Sequence, residues 1–296
     1  MDAPINRREL ICSLAKAGII SPSLTAALAQ PTAQCFVSQD DSITVIDTNV
    51  SLFQWPFRRL PLEPTAVLAA KLRQLNITEA WAGSFEGIFH RDLTSANDRL
   101  AAECLPFQEF RPVGTINPML PGWKFDLERC VRHHRMSGIR LFPGYHGYAF
   151  DATSVGQLLE MATAFNVFIQ IVVSIEDTRT QPEMLRIPDA DLTALPDVIA
   201  SLPTARLQIL NHKLRDPLLS RLSDHPGVYF DTARLEGTDS IPELCSKLPK
   251  QRLLFGSHAP FLIPEAALIR VHESNQLDLT QLQDIYHNNA SRFLRN

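Results

Sequence analysis

The residues able to do chemistry fall in short groups, each placed just after an apolar, β-branched run. His212 closes the run at 207–211, and His258 follows the run at 253–256. Histidine changes charge near neutral pH, so either ring could move a proton. Glu176 and Asp177, with Arg179 beside them, follow the run at 167–173. Carboxylates there could act in acid–base chemistry. Arg58, Arg179 and Arg234 could each grip a carboxylate or an oxyanion through two parallel hydrogen bonds. Asn49, Tyr145 and His146 complete the polar ring. Trp55, Tyr145 and Tyr148 offer surfaces for a ring or a sugar. Each group also has a plainer reading. A lone histidine after a strand is more often structural, an arginine is often a surface pair, and the 176–179 cluster can be a solvated turn. The 145–148 loop can be a lid or ordinary packing.

The elements that must position these groups form a simple rhythm. Apolar runs at 43–47, 78–83, 112–116, 138–142, 167–173, 207–211, 228–231 and 253–256 read as strands. Between them, apolar residues recur at helical spacing in 64–75, 93–104, 123–134, 154–165, 191–202, 217–222 and 241–248, with two closing helices in 265–294. Strand–helix alternation implies a parallel sheet with right-handed crossovers. Eight such units close into a (β/α)8 TIM barrel, a single α/β domain whose site lies at the C-terminal strand ends. A doubly wound open sheet is the rival. It usually carries a glycine-rich first turn, whereas Thr48-Asn49-Val50-Ser51 has no glycine.

The totals exclude some classes. The chain has 296 residues and a formal net charge of −4, with a pI near 6.1. A nucleic-acid protein would show a basic face, and no run of like charge stands out. The five cysteines form no CxxC pair, which argues against a zinc–cysteine site. They read as isolated thiols, with a disulfide involving Cys35 open if the protein is exported. Residues 1–29 read as a twin-arginine export signal: Asn6-Arg7-Arg8-Glu9-Leu10-Ile11, a weakly apolar stretch, then Ala27-Leu28-Ala29. The mature domain then spans 30–296, in the periplasm. The alternative is an amphipathic helix of a cytoplasmic protein. No stretch is apolar for long enough to span a bilayer. The partner expected is a small molecule, with no nucleic acid and no membrane span; a homo-oligomer is compatible with the sequence.

Four places over residues 43–294 stand out together: Val45-Ile46-Asp47-Thr48-Asn49-Val50-Ser51, Ile209-Leu210-Asn211-His212, Leu254-Phe255-Gly256-Ser257-His258-Ala259-Pro260, and the tail from Ile285 to Leu294 with Asn289-Ala290. With them the chain resembles the amidohydrolase-related family of metal-dependent hydrolases and decarboxylases. The first stands where that family has Asp-x-His-x-His, and the second resembles its apolar run ending in His. The third resembles its Gly-Ser-Asp-x-Pro, and the tail is similar to its closing helix. The resemblance implies a divalent ion held by two strand-one histidines, one each from strands five and six, and a strand-eight aspartate. Here those places hold Asn49, Ser51, no strand-five histidine, His212 and His258. Neutral amides and hydroxyls are poor substitutes for imidazole and carboxylate. No cofactor is therefore expected; a single divalent ion rebuilt on His212, His258 and Glu176 is the alternative. The resulting expectation is a hydrolase or lyase acting on a small carboxylated or cyclic substrate, lactone-like or sugar-derived, with His258 as general base. His212 and Glu176 assist, and Asn49, Arg58, Tyr145, His146, Asp177, Arg179 and Arg234 bind substrate. A non-catalytic barrel that binds a small ligand or partner is the competing reading.

Overall fold

The computed structural model describes residues 43–183 and 186–295. The expected export signal lies outside them. Eight parallel strands alternate with helices, the third strand being split at Val113: β1 (Val45–Leu52), β2 (Ile77–Ser84), β3 (Phe110–Pro112), β4 (Gly114–Thr115), β5 (Gly138–Leu141), β6 (Phe168–Val172), β7 (Leu207–Leu210), β8 (Val228–Asp231) and β9 (Leu253–Leu254). Hydrogen-bonded neighbours run β1-β2-β3 and β4-β5-β6-β7-β8-β9. Val113 keeps the split strand in the wall by donating its N–H to Ala82 O at 2.8 Å. The last strand returns to the first: Thr48 N bonds Phe255 O and Ser51 N bonds Ala259 O, both at 2.9 Å. The wall is therefore closed, a (β/α)8 barrel. No helix among the described residues is long and apolar enough to cross a membrane.

Around it run α1 (Thr65–Gln74), α2 (Glu86–Phe89), α3 (Leu93–Cys104), α4 (Trp123–Glu128), α5 (Pro143–His146), α6 (Thr153–Ala164), α7 (Leu195–Ile199), α8 (Leu218–Ser223), α9 (Ser240–Lys247), α10 (Pro264–His272), α11 (Leu279–Gln283) and α12 (Asn289–Arg295). Local chemistry sets several ends. Asp92 caps α3 by accepting from Ser95 N, and Asp278 and Gln281 form a capping box on α11. Asn76 and Asn166, just past α1 and α6, take left-handed backbone angles, which asparagine tolerates best after glycine. The short helices α2 and α5 were not legible in the periodicity, because one turn carries no period.

The buried interior is layered. At the base, Ile46, Trp81, Val113, Phe168, Tyr229 and Leu254 pack against Ala290 and Phe293 of α12. Trp81 stacks on Phe168 with centroids 4.7 Å apart. Arg206 fastens this plug, donating to the carbonyls of Phe293 and Leu294 at 2.7 and 3.0 Å. At the opposite end, Trp55, Leu60, Phe85, Phe142, Ile175, Leu210 and Phe261 form an apolar cap. Between the two lies a polar layer.

Candidate active site

The rim at the C-terminal strand ends gathers most of the expected charged groups. Arg58 donates to Glu176 at 3.3 Å and lies over the Phe261 ring, 4.6 Å from its centroid. Arg179 and Asp177 form a local pair at 2.7 Å, with the arginine side chain 87% exposed. Those hydrogen bonds to Arg179 hold the Asp177 carboxyl well below its ordinary value. Arg234 donates to the Ser174 hydroxyl. Unlike Arg58 and Arg179, it has no ion-pair partner among the described residues. Its charge reaches Tyr145, Asp177, Glu236 and His258. Burial pushes the Tyr145 hydroxyl up, so it stays protonated at any ordinary pH.

Below the rim, residues from five strands share one hydrogen-bond network. Asn49 donates to Asn211 Oδ1 at 2.8 Å and to Asp231 Oδ2 at 2.7 Å. Asn211 N donates to Asp231 Oδ1, and its amide to the Ser174 carbonyl and, at 3.4 Å, to His258 Nδ1. Asp47 Oδ1 accepts from the backbone N–H groups of Asn49 and Ser257. His258 Nε2 sits 2.7 Å from the Ile175 carbonyl. A carbonyl can only accept, so Nε2 carries the hydrogen and Nδ1 keeps the lone pair. Every one of these polar residues is at most 1% exposed apart from Ser174.

Burial sets the protonation states. It raises Asp47 to about 6 and Asp231 to about 8, against the lowering effect of their hydrogen bonds. It lowers His258 to about 3 and His212 to about 4. At neutral pH the floor thus holds neutral imidazoles and a protonated Asp231.

One further layer down, Arg140 of β5 crosses the barrel axis. Its Nε donates to Gln170 Oε1 at 2.8 Å, one terminal nitrogen to Val50 O and Ser51 Oγ at 2.9 and 3.2 Å, and the other to Trp81 O at 3.2 Å. Gln170 and Gln208 continue the network to Thr48. The divalent ion that the resemblance implies does not fit these residues. Ser51 and the strand-five residue Gln170 are spent as acceptors for a guanidinium. The Asn49 amide nitrogen is committed as a donor, and His258 Nε2 faces a carbonyl. A dication would also be repelled by the buried guanidinium, because like charges are poorly screened in the interior. Among the described residues, no three His, Cys, Asp or Glu side chains are arranged to hold a metal.

The structure therefore joins Asn49 and His258 in one network, and places Arg58, Tyr145, Glu176, Asp177, Arg179 and Arg234 along one rim. His212 and His146 make no hydrogen bond to these groups. His212 is buried beside the network, near the Asp231 backbone, with no hydrogen-bond partner among the described residues at either ring nitrogen and its ring packed edge-on to Phe230 at 5.2 Å. His146 turns toward α2, where Nε2 meets the Gly87 carbonyl at 3.2 Å. Asp47, Arg140, Asn211 and Asp231 were missed as site residues. A signal existed: each is a polar residue inside, or directly after, an apolar strand, at a place where a carboxylate or guanidinium cannot be buried without partners. Parity did not reveal Asp47, because a register shift between Asp47 and Val50 breaks the alternation of β1.

Comparison with known proteins agrees with the fold. A dihydroxybenzoic acid decarboxylase from Polaromonas sp. JS666, solved with manganese and 2-nitroresorcinol, superposes with a TM-score of 0.69 at 12% identity, covering 86% of this chain and 97% of the other. A 5-carboxyvanillate decarboxylase from Sphingomonas paucimobilis gives 0.66 at 13% identity, covering 86% and 99%. A 2,6-dihydroxybenzoate decarboxylase from Rhizobium gives 0.65 at 13% identity, covering 86% and 98%. No curated protein sequence matches. The family description "Amidohydrolase" matches residues 54–295, most of the chain. With a closed eight-stranded barrel whose polar groups gather at the C-terminal rim, the chain belongs to the amidohydrolase family.

Proposed function

We propose that this protein is a hydrolase or lyase acting on a small carboxylated, cyclic molecule, without the divalent ion usual in its family. The observation that carries the reading is Arg234. It is a half-buried cation at the rim, hydrogen-bonded among the described residues through the Ser174 hydroxyl alone, while the neighbouring Arg58 and Arg179 are already neutralised by carboxylates. A guanidinium left without a counter-charge is suited to a substrate carboxylate. The substrates named for the structural relatives, carboxylated aromatic rings, have that chemistry, as do ring-opened or lactone-like sugar acids.

His258 acts as the proton acceptor, through Nδ1. Its low pKa keeps it neutral over the working range and makes it a weak base, so it needs an anion close by when it takes the proton. Asp231, which carries a proton at neutral pH, is the complementary donor. For a lactone, water gives its proton to His258 as its oxygen attacks the carbonyl. Asp231 then protonates the leaving alkoxide.

The test is a turnover screen of lactones, esters and aromatic carboxylates on chelator-treated protein, repeated for Arg234→Met and His258→Asn. Activity that falls in both variants supports the reading; activity untouched by Arg234→Met sinks the carboxylate grip. A second reading has its own support. The apolar cap closes over the floor, with Trp55 1% and Phe85 1% exposed. A non-catalytic barrel that binds a ligand at the rim would look like this. Carboxylates that raise the melting temperature with no turnover of any of them would favour it.

A further inference from the structure

We propose that the Arg140 guanidinium is the resident cation of the barrel centre, occupying by charge and hydrogen bonding the place where a divalent ion would otherwise be needed. This extends the metal-free reading above, and it makes a separate claim about one side chain.

Four observations support it. First, Arg140 is 1% exposed, so its charge is fully inside the barrel. A buried charge is tolerated only when paired and hydrogen-bonded. Second, four of its five N–H donors are used, on Gln170, Val50, Ser51 and Trp81. Two of those acceptors, Ser51 and Gln170, come from β1 and β6, the strands whose side chains would supply imidazoles to an ion. The acceptor set has been rebuilt around a planar cation, with neutral oxygens in place of ring nitrogens.

Third, the wall is cut away to admit it. A Cβ on Gly83 would stand 2.5 Å from one terminal guanidinium nitrogen and 2.8 Å from the central carbon. Gly83 has no positive backbone angle that would otherwise call for glycine, and the missing Cβ leaves room for Arg140. Fourth, two buried carboxyl groups, Asp47 and Asp231, lie within its electrostatic reach. The other buried arginine, Arg206, is tied to the α12 carbonyls at the opposite end. Arg140 is therefore the cation available to them among the described residues.

A space-filling side chain and a resident cation respond differently to charge removal. Melting temperatures of wild type, Arg140→Met, Asp47→Asn and the double variant form the cycle that separates them. The expected result is that Arg140→Met melts well below wild type and the double variant melts above Arg140→Met, because the carboxylate left without its cation has gone. Additive losses would overturn the proposal. Should Arg140→Met fail to accumulate while the double variant does, that recovery is itself the expected coupling. If neither accumulates, wild type decides: with Mn2+ or with chelator its melting temperature is expected to stay unchanged. A rise with Mn2+ that chelator reverses would mean that an ion, not Arg140, holds the centre. Failure of the carboxylate screen would leave this result standing, so the two claims fail separately.

Discussion

Arg234 and Asp231 carry the sharpest consequences of single side chains. Replacing Arg234 by Met should raise KM for a carboxylated substrate about tenfold or more, the loss of one charge-assisted contact of ~1.5–3 kcal/mol. Its melting temperature should barely move, since among the described residues the side chain hydrogen-bonds Ser174 and forms no ion pair at a half-buried rim. Steady-state kinetics on the two proteins checks this. By contrast, Arg179→Ala should leave the melting temperature almost unchanged, since an exposed pair is strongly screened. Asp231 gives a pH signature. Burial raises its folded value to about 8 from an ordinary 3.8, so the folded state binds the extra proton between those values. Stability from this group is then fully present below pH 4 and is lost as the pH climbs toward 8. Thermal unfolding of Asp231→Asn should lack that alkaline decline, and the variant should gain on wild type as the pH rises from 5 to 8. A wild-type curve parallel to that of the variant would contradict the assignment. The low value for His258, about 3, likewise places the acidic limb of any rate profile far below the usual histidine range.

Elements were easier to read from the sequence than the site they hold. The strand runs and the longer helices were legible because burial on both faces demands continuous β-branched runs, and half-burial demands helical spacing. The first strand runs five residues past its expected end, to Leu52. Its register shift brings Asp47, Thr48 and Asn49 all into contact with the interior network. A strict alternation would have sent the middle one outward. Three residues at the ends of late strands, Asn211, Arg234 and His258, adopt left-handed backbone angles. Strain of this kind costs about 1–3 kcal/mol each and tends to gather at functional sites. That strain depends on neighbouring strands, so no local pattern announced it. The strand-interior glycine offers a direct check at this scale. Gly83→Ala would press on the guanidinium of Arg140 and should cost about 1–3 kcal/mol, the usual penalty of overpacking, measured by urea unfolding.

For the whole molecule, the barrel is a container sealed at its base and covered at its mouth. The base seal is Phe293 of α12 packed on Trp81, Phe168 and Tyr229. Phe293→Ala should cost about 3–5 kcal/mol, the range for a fully buried aromatic, and the loss should be global because the seal touches β2, β6 and β8 together. Chemical denaturation checks the size. The mouth cover of Trp55, Phe85 and Phe261 must part for any ligand to reach the floor, so access rather than chemistry is expected to limit the fastest substrates. Export stays a proposal about the N-terminal segment: intact mass of the protein from a native host should place the mature start near Gln30. The central claim is that a guanidinium, not an ion, occupies the barrel axis. Diffraction from crystals grown with manganese, recorded at the metal's absorption edge, tests it most directly. Flat planar density for Arg140 against Ser51 and Gln170 is expected, with no anomalous peak beside it. A peak among Asn49, His212, His258 and Asp231, with Arg140 displaced, would contradict it.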